Sequence, residues 1–198
     1  MNNKRAAIIE RETKETKIKL SLSINETAKC GLFGSTGIGF FDHMLNTFAV
    51  HGRFNIQLEM SGDINVDCHH SIEDMGIVLG RAFREIIEKN MNITRFASEY
   101  IPMDESLALC AVDVCGRAYL VFNADFNAGS IGEYDTQMTK EFFYALSQNM
   151  LATLHINLLY GENDHHKTEA IFKAAARCIS KALTLVSGDV IVSAKGTI

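Results

Sequence analysis

A chain of 198 residues can build one sizeable domain or two small halves around a shared core. Hydrophobic residues make up 47% and charged residues 22%, an ordinary globular balance, and the net charge of −5 argues against nucleic acid as a partner, because phosphate backbones attract a basic face. No run approaches the ~20 consecutive apolar residues that span a bilayer, and residues 1–17 are charged and lack the apolar core of a signal peptide. A cytoplasmic protein with no membrane partner is expected. Cys30, Cys68, Cys110, Cys115 and Cys178 are odd in number and form no Cys-x-x-Cys pair. Most of them read as small buried apolar residues, and the set suggests neither a disulfide framework nor a zinc ribbon.

Along the chain, Ile18, Leu20, Leu22 and Ile24 alternate with Lys19, Ser21 and Ser23, the period of a half-buried strand. The glycine-rich stretch Gly34-Ser35-Thr36-Gly37-Ile38-Gly39 lacks the Gly-Lys-Ser/Thr of a P-loop and the Rossmann spacing, so it reads as a flexible loop feeding the next helix. That helix covers 41–50 and stops at His51-Gly52. Ile56, Leu58 and Met60 form a second alternating strand, and a long helix covers about 70–89. Further on, 107–114 and 118–122 flank Cys115-Gly116-Arg117 as a hairpin. A helix over 136–151, a strand over 154–160 and a helix over about 166–185 complete the chain.

The order strand, strand, helix, strand, helix occurs twice, and the residues repeat with it. His69-His70-Ser71-Ile72-Glu73 returns as His165-His166-Lys167-Thr168-Glu169 at an offset of 96 residues, and Arg81 and Arg177 keep that offset. Upstream, Phe40-Phe41-Asp42-His43 roughly matches Lys140-Glu141-Phe142-Phe143, with His43 26 residues before His69 and Glu141 24 before His165. Self-similarity at one offset marks a duplicated unit. The expected architecture is α+β, one domain over 1–198 made of repeats of about 1–92 and 93–198, with two sheets each carrying helices on one face.

The repeated His-His-x-x-Glu carries the chemistry. On a helix, His69 and Glu73 are four apart and share a face, whereas His70 is turned by about 100° and points elsewhere. The same holds for His165, Glu169 and His166. Two such units suggest two reciprocal metal sites: one ion on His69, Glu73 and His166, the other on His165, Glu169 and His70. Of the upstream residues, Glu141 would complete the first and His43 the second. A set of imidazoles and carboxylates without thiolate suits Mn²⁺ or Fe²⁺ better than structural zinc. His51 reads as a helix cap and His155 as a structural residue in an apolar strand. A two-metal phosphoesterase would be richer in aspartate. A ferritin-like storage shell would need four long helices with Glu-x-x-His motifs.

Five segments then carry a family likeness. They are Arg11-Glu12-Thr13-Lys14-Glu15-Thr16; Thr36-Gly37-Ile38-Gly39-Phe40-Phe41-Asp42-His43-Met44-Leu45; His69-His70-Ser71-Ile72-Glu73-Asp74; Gly161-Glu162-Asn163-Asp164-His165-His166-Lys167-Thr168-Glu169-Ala170; and Ser193-Ala194-Lys195-Gly196. Together, over essentially the whole chain, they resemble the imidazoleglycerol-phosphate dehydratase family. The resemblance implies a fold like ribosomal protein S5 domain 2, and a hydro-lyase that converts imidazoleglycerol phosphate to imidazole acetol phosphate in histidine biosynthesis. It also implies two Mn²⁺ per active site that favour the substrate's imidazolate, and a 24-subunit shell of trimers with sites between subunits. The metal ligands it implies are His43, His69, His70, Glu73, Glu141, His165, His166 and Glu169, with Glu141 standing where some members have histidine. It gives Glu15 the proton-transfer role and contact with the substrate, and Arg95, Arg117, Ser193 and Lys195 the phosphate.

Overall fold

The computed structural model describes residues 5–24 and 29–187. In the first half, β1 (Ala6–Glu12), β2 (Thr16–Ile24) and β3 (Gly31–Phe33) lead to α1 (Gly39–Gly52), β4 (Phe54–Gly62) and α2 (His69–Lys89). In the second, β5 (Phe96–Met103), β6 (Ser106–Asp113) and β7 (Tyr119–Asn123) lead to α3 (Met138–Met150), β10 (Thr153–Tyr160) and α4 (Asp164–Ala182). A short hairpin, β8 (Ser130–Ile131) with β9 (Tyr134–Asp135), is inserted before α3.

Among the described residues these elements form two four-stranded sheets, ordered β1-β2-β4-β3 and β5-β6-β10-β7. The duplicated α+β architecture is therefore present, with three strands of each four-stranded sheet before the first helix of its half where two were expected; in the second half β6 and β7 match the expected pair and β5 is the addition. The third strand of each half, β3 or β7, runs parallel to the last strand of that half. The expected hairpin around Cys115-Gly116-Arg117 does not form. β10 lies between β6, to which it is antiparallel, and β7, to which it is parallel, so the Cys115-Gly116-Arg117 link carries the chain past the place that β10 later fills.

Period-two patterning explains which face of each sheet is covered. Ile18, Leu20 and Leu22 of β2 are buried against the helices while Lys17 and Lys19 face outward. Ala108, Cys110 and Val112 do the same on β6. α2 packs on β1 and β2, and α4 on β5 and β6. Across the middle the halves exchange helices: α1 packs on α4, and α2 on α3. One apolar core runs through both halves, including Phe41, Phe48, Phe83, Phe142 and Phe172. Four of the cysteines, Cys68, Cys110, Cys115 and Cys178, are buried and free.

The α2–α3 contact depends on two glycines one helical turn apart. A Cβ on Gly76 would lie 2.7 Å from the Phe142 carbonyl oxygen and 2.9 Å from the Ala145 Cβ. One on Gly80 would lie 2.7 Å from the Leu146 carbonyl oxygen and 2.8 Å from the Asn149 Cβ. The helices are close because these positions have no side chain. Alanine is intrinsically the better helix former by about 1 kcal/mol, so the sign of the substitution tests the packing. Gly76→Ala or Gly80→Ala should lower stability by about 1–3 kcal/mol, the usual cost of overpacking. Thermal unfolding of the chelator-treated protein measures this, and an unchanged or raised midpoint would show that the two helices are free to separate.

Candidate metal and substrate site

The two His-His-x-x-Glu motifs open α2 and α4, and local capping holds them there. The Asn163 side chain accepts hydrogen bonds from the His165 and His166 backbone N–H groups at 2.9 and 3.4 Å. Asp67 accepts from the His69 backbone N–H at 2.7 Å. Asp164 anchors the loop before the hairpin: its carboxylate accepts from the Asn127 and Ala128 backbone N–H groups and from Lys167. Burial opposes ionisation of Asp164, but these donors outweigh it and hold the carboxyl below its ordinary range.

His43 of α1 reaches the α4 motif because α1 packs on α4. Its Nε2 lies 3.5 Å from Glu169 Oε2, and His165 Nε2 lies 3.3 Å from that same oxygen. Ligand atoms of these three residues lie within 4.8 Å of one another, and among the described residues no other group of three does so. Phe40 walls the cluster, its ring centroid 5.0 Å from that of His165. Lys173, one turn beyond Glu169, holds the other carboxylate oxygen at 2.7 Å. Burial alone would raise the Glu169 pKa; the hydrogen bond from Lys173, its charge and the neighbouring His43 and His165 bring it below the ordinary range. The sequence reading missed Lys173, although its i, i+4 spacing from Glu169 was a usable signal.

The second motif is more open. His69 Nε2 lies 3.7 Å from Glu73 Oε2, and Glu73 is 42% exposed against 11% for Glu169. Glu141 sits in the first turn of α3, the helix packed on α2. α1 and α3 both end on a residue in the left-handed region, Arg53 and Leu151, and His43 and Glu141 precede those ends by the same number of residues. In space, then, His43 corresponds to Glu141.

His70 and His166 point elsewhere. His70 Nδ1 is 3.0 Å from Asp63 and its Nε2 is 3.8 Å from Glu15 in the β1–β2 turn. His166 Nδ1 is 2.7 Å from Glu105 and its Nε2 is 3.7 Å from Asp104, both in the β5–β6 turn. The hydrogen bonds to Asp63 and Glu105 are the main causes that raise the two imidazole pKa values. Glu105 is in turn held well below the carboxylate range, first by the Asn163 backbone N–H and then by His166. Asp63 and Glu105 were not found in the sequence, because neither lies on the helix that carries its histidine.

Arg95 and Arg117 are at the far end of the same half. The Arg95 backbone N–H donates to the Ala182 carbonyl at the last residue of α4. Its side chain pairs with Asp113 at 2.7 Å and lies over the Phe96 ring. Arg117 is exposed in the link that precedes β7. By the rise of α4, Arg95 stands roughly 25 Å from His165. Ser193 and Lys195 lie outside the described residues. The glycine-rich loop expected to be flexible is tied to α1: Ser35 and Thr36 hydroxyls and the Thr36 N–H all donate to Asp42, at 2.6, 2.6 and 2.7 Å. His155, expected to be a structural residue, points outward and is exposed; His51 closes α1.

No described helix is long and apolar enough to cross a membrane. Residues 36–179 match the family described as imidazoleglycerol-phosphate dehydratase. The chain is 49% identical over 173 residues to imidazoleglycerol-phosphate dehydratase of Bacillus cereus strain B4264, covering 87% of this chain and 88% of that one. The fold superposes on the Staphylococcus aureus enzyme with a TM-score of 0.83 and 38% identity, covering 91% of this chain and 99% of that one. It superposes on the Pyrococcus furiosus enzyme with a TM-score of 0.81 and 31% identity, covering 96% and 100%. With the duplicated fold, both motifs and the His43–His165–Glu169 cluster in place, the chain belongs to the imidazoleglycerol-phosphate dehydratase family.

Proposed function

We propose that this enzyme dehydrates imidazoleglycerol phosphate to imidazole acetol phosphate in histidine biosynthesis, in the cytoplasm, at Mn²⁺ sites shared between copies of the chain. The observation that carries the reading is the convergence of His43, His165 and Glu169 from both halves on one point. Two imidazoles and one carboxylate oxygen, with the other oxygen held by Lys173, are a donor set that fits a divalent cation of the Mn²⁺ kind. His43, His165, Glu169 and His70 of the partner subunit would hold one ion; His69, Glu73, Glu141 and His166 of the partner subunit would hold the second. When bound, the ions supply electrophilic stabilisation of the substrate's imidazolate.

The chain's own residues do the rest. Glu15, exposed beside His70 Nε2, would move a proton to the leaving hydroxyl or from the neighbouring C–H. Arg95, Arg117, Ser193 and Lys195 would hold the phosphate dianion, with Arg offering paired donors. A substrate with a three-carbon chain cannot span the roughly 25 Å between His165 and Arg95 of one chain. Its imidazole and phosphate are therefore held by different copies, in the trimer-built 24-mer that the family resemblance implies.

Three measurements test this reading. Light scattering should show a large assembly with Mn²⁺ and a smaller one after chelation, since ligands from two copies make metal binding part of association; an unchanged monomer in both conditions refutes shared sites. Glu15→Gln keeps the side chain's size but removes its basic oxygen. Bound Mn²⁺ and assembly should persist while turnover of synthetic imidazoleglycerol phosphate falls by roughly 10²–10⁴, whereas His70→Ala should lose metal and turnover together. A Glu15→Gln rate within about threefold of the parent would make Glu15 a surface charge.

The third experiment is complementation. Glu15→Gln and Arg95→Ala are each expected to be nearly inactive with metal intact. Chelated, mixed and reassembled with Mn²⁺, they should regain turnover well above either alone, because some sites would draw an intact Glu15 and an intact Arg95 from different copies. No gain on mixing would place both residues in one copy's site.

A further inference from the structure

His70 and His166 make matching contacts with different supporting groups, and the difference has a consequence for metal binding. Each imidazole presents Nδ1 to a carboxylate: His166 to Glu105 Oε2 at 2.7 Å, His70 to Asp63 Oδ2 at 3.0 Å. An ionised carboxylate only accepts, so Nδ1 carries the proton and the lone pair sits on Nε2. That nitrogen faces the open side in both cases, toward exposed Asp104 and Glu15. We propose that Glu105 and Asp63 are the positioning residues that fix these two tautomers, and that the Glu105 side is rigidly wired whereas the Asp63 side is adaptable. The inference rests on the reading that His70 and His166 ligate Mn²⁺.

The wiring follows from what else each carboxylate does. Glu105 Oε1 accepts the Glu162 and Asn163 backbone N–H groups at 3.1 and 2.8 Å and the Ser106 hydroxyl at 3.1 Å. The orientation of this carboxylate is therefore dictated by three donors before His166 is considered. Asp63 has its backbone N–H on the Glu15 carbonyl, but its carboxylate serves His70 alone among the described hydrogen bonds.

An isosteric amide separates the two cases. In Glu105→Gln the single carbonyl oxygen must stay on the backbone donors, which turns the NH₂ toward His166 Nδ1. Two donors cannot face each other, so the imidazole shifts its proton to Nε2 and loses the lone pair that would ligate. In Asp63→Asn the amide can rotate, give its oxygen to His70 Nδ1 and leave the NH₂ in solvent. Glu105→Ala removes the acceptor without imposing the wrong tautomer.

The test titrates Mn²⁺ into the full-length protein and follows free Mn²⁺ by electron paramagnetic resonance, with the unfolding midpoint of each chelated variant as a control on folding. Glu105→Gln should weaken binding at one of the two sites by roughly 10–100-fold, the usual effect of losing such an outer partner. Glu105→Ala should weaken it less, although it removes more atoms. Asp63→Asn should stay within about threefold of the parent while Asp63→Ala loses roughly tenfold. Glu105→Gln binding as tightly as the parent overturns the proposal. So does a Glu105→Ala loss equal to or larger than that of Glu105→Gln, because that ranking is what a purely structural role gives. The Asp63 pair decides independently if the Glu105 variants unfold: equal loss in Asn and Ala overturns the tautomer argument. A parent chain that takes up no Mn²⁺ sinks the metal reading itself, whereas normal parent binding with unaffected variants sinks the positioning role alone.

Discussion

An α-helix rises by about 1.5 Å per residue and does not fold back, and α4 sets the geometry of the chemistry here. His165, His166 and Glu169 occupy its first turns, and Arg95 is hydrogen-bonded to the carbonyl of Ala182 at its other end. The strands beneath it keep the same separation, because β5 and β6 run from the Arg95–Asp113 pair to the Asp104–Glu105 turn. No rearrangement short of unfolding brings both ends of α4 to one small molecule. The sharing of sites between copies proposed above therefore rests on the length of a single secondary-structure element.

The crossed pairing of helices decides which residues meet within a chain. Had each half packed its own two helices together, His43 would lie against the α2 motif and Glu141 against the α4 motif. Instead α1 lies on α4 and α2 on α3, so each proposed ligand set draws on both repeats. The sets have also diverged. Glu169 is nearly buried and holds Lys173, while Glu73 is far more exposed and has Ile77 at the place equivalent to Lys173. One oxygen of Glu169 is thus committed to a cation, and only the other is turned toward His43 and His165. The two halves offer their carboxylates differently, although their motifs read alike.

What could be read from the residues follows from where the information is stored. A helical face repeats every few residues, so the His69–Glu73 and His165–Glu169 pairs and the offset between them were visible without a structure. β2 and β6 alternate cleanly and were found. β5 was not, because both of its faces carry apolar side chains: Ala97, Ile101 and Met103 inward, Phe96 and Tyr100 outward. That erases the period-two signal. The hairpin at Cys115-Gly116-Arg117 was misread because adjacency in sequence stood in for adjacency in the sheet, and β10, which comes much later, separates the strands. The contacts of Glu105 with His166 and of Glu15 with His70 are matters of sheet topology, which no local pattern carries.

Between the two halves the carboxylates that support the histidines differ while the His-His-x-x-Glu motif is the same, and loop length gives a reason. A ligand must be an imidazole or carboxylate at one fixed point, so few substitutions preserve it. Holding a tautomer needs only an acceptor within reach of Nδ1, and several backbone positions can supply one. Between β4 and α2, residues 63–68 give enough chain for Asp63 to fold back on His70 from its own connection. Between β10 and α4 there are only residues 161–163, and Asn163 is already occupied as the cap of α4. The acceptor for His166 therefore comes from the neighbouring β5–β6 turn, where Asp104 takes a left-handed conformation with φ of 46°. Because that turn also has to hold the short connection in place, Glu105 is bound to its backbone as well as to the histidine. The tighter wiring of the second half is thus a consequence of the shorter link between β10 and α4.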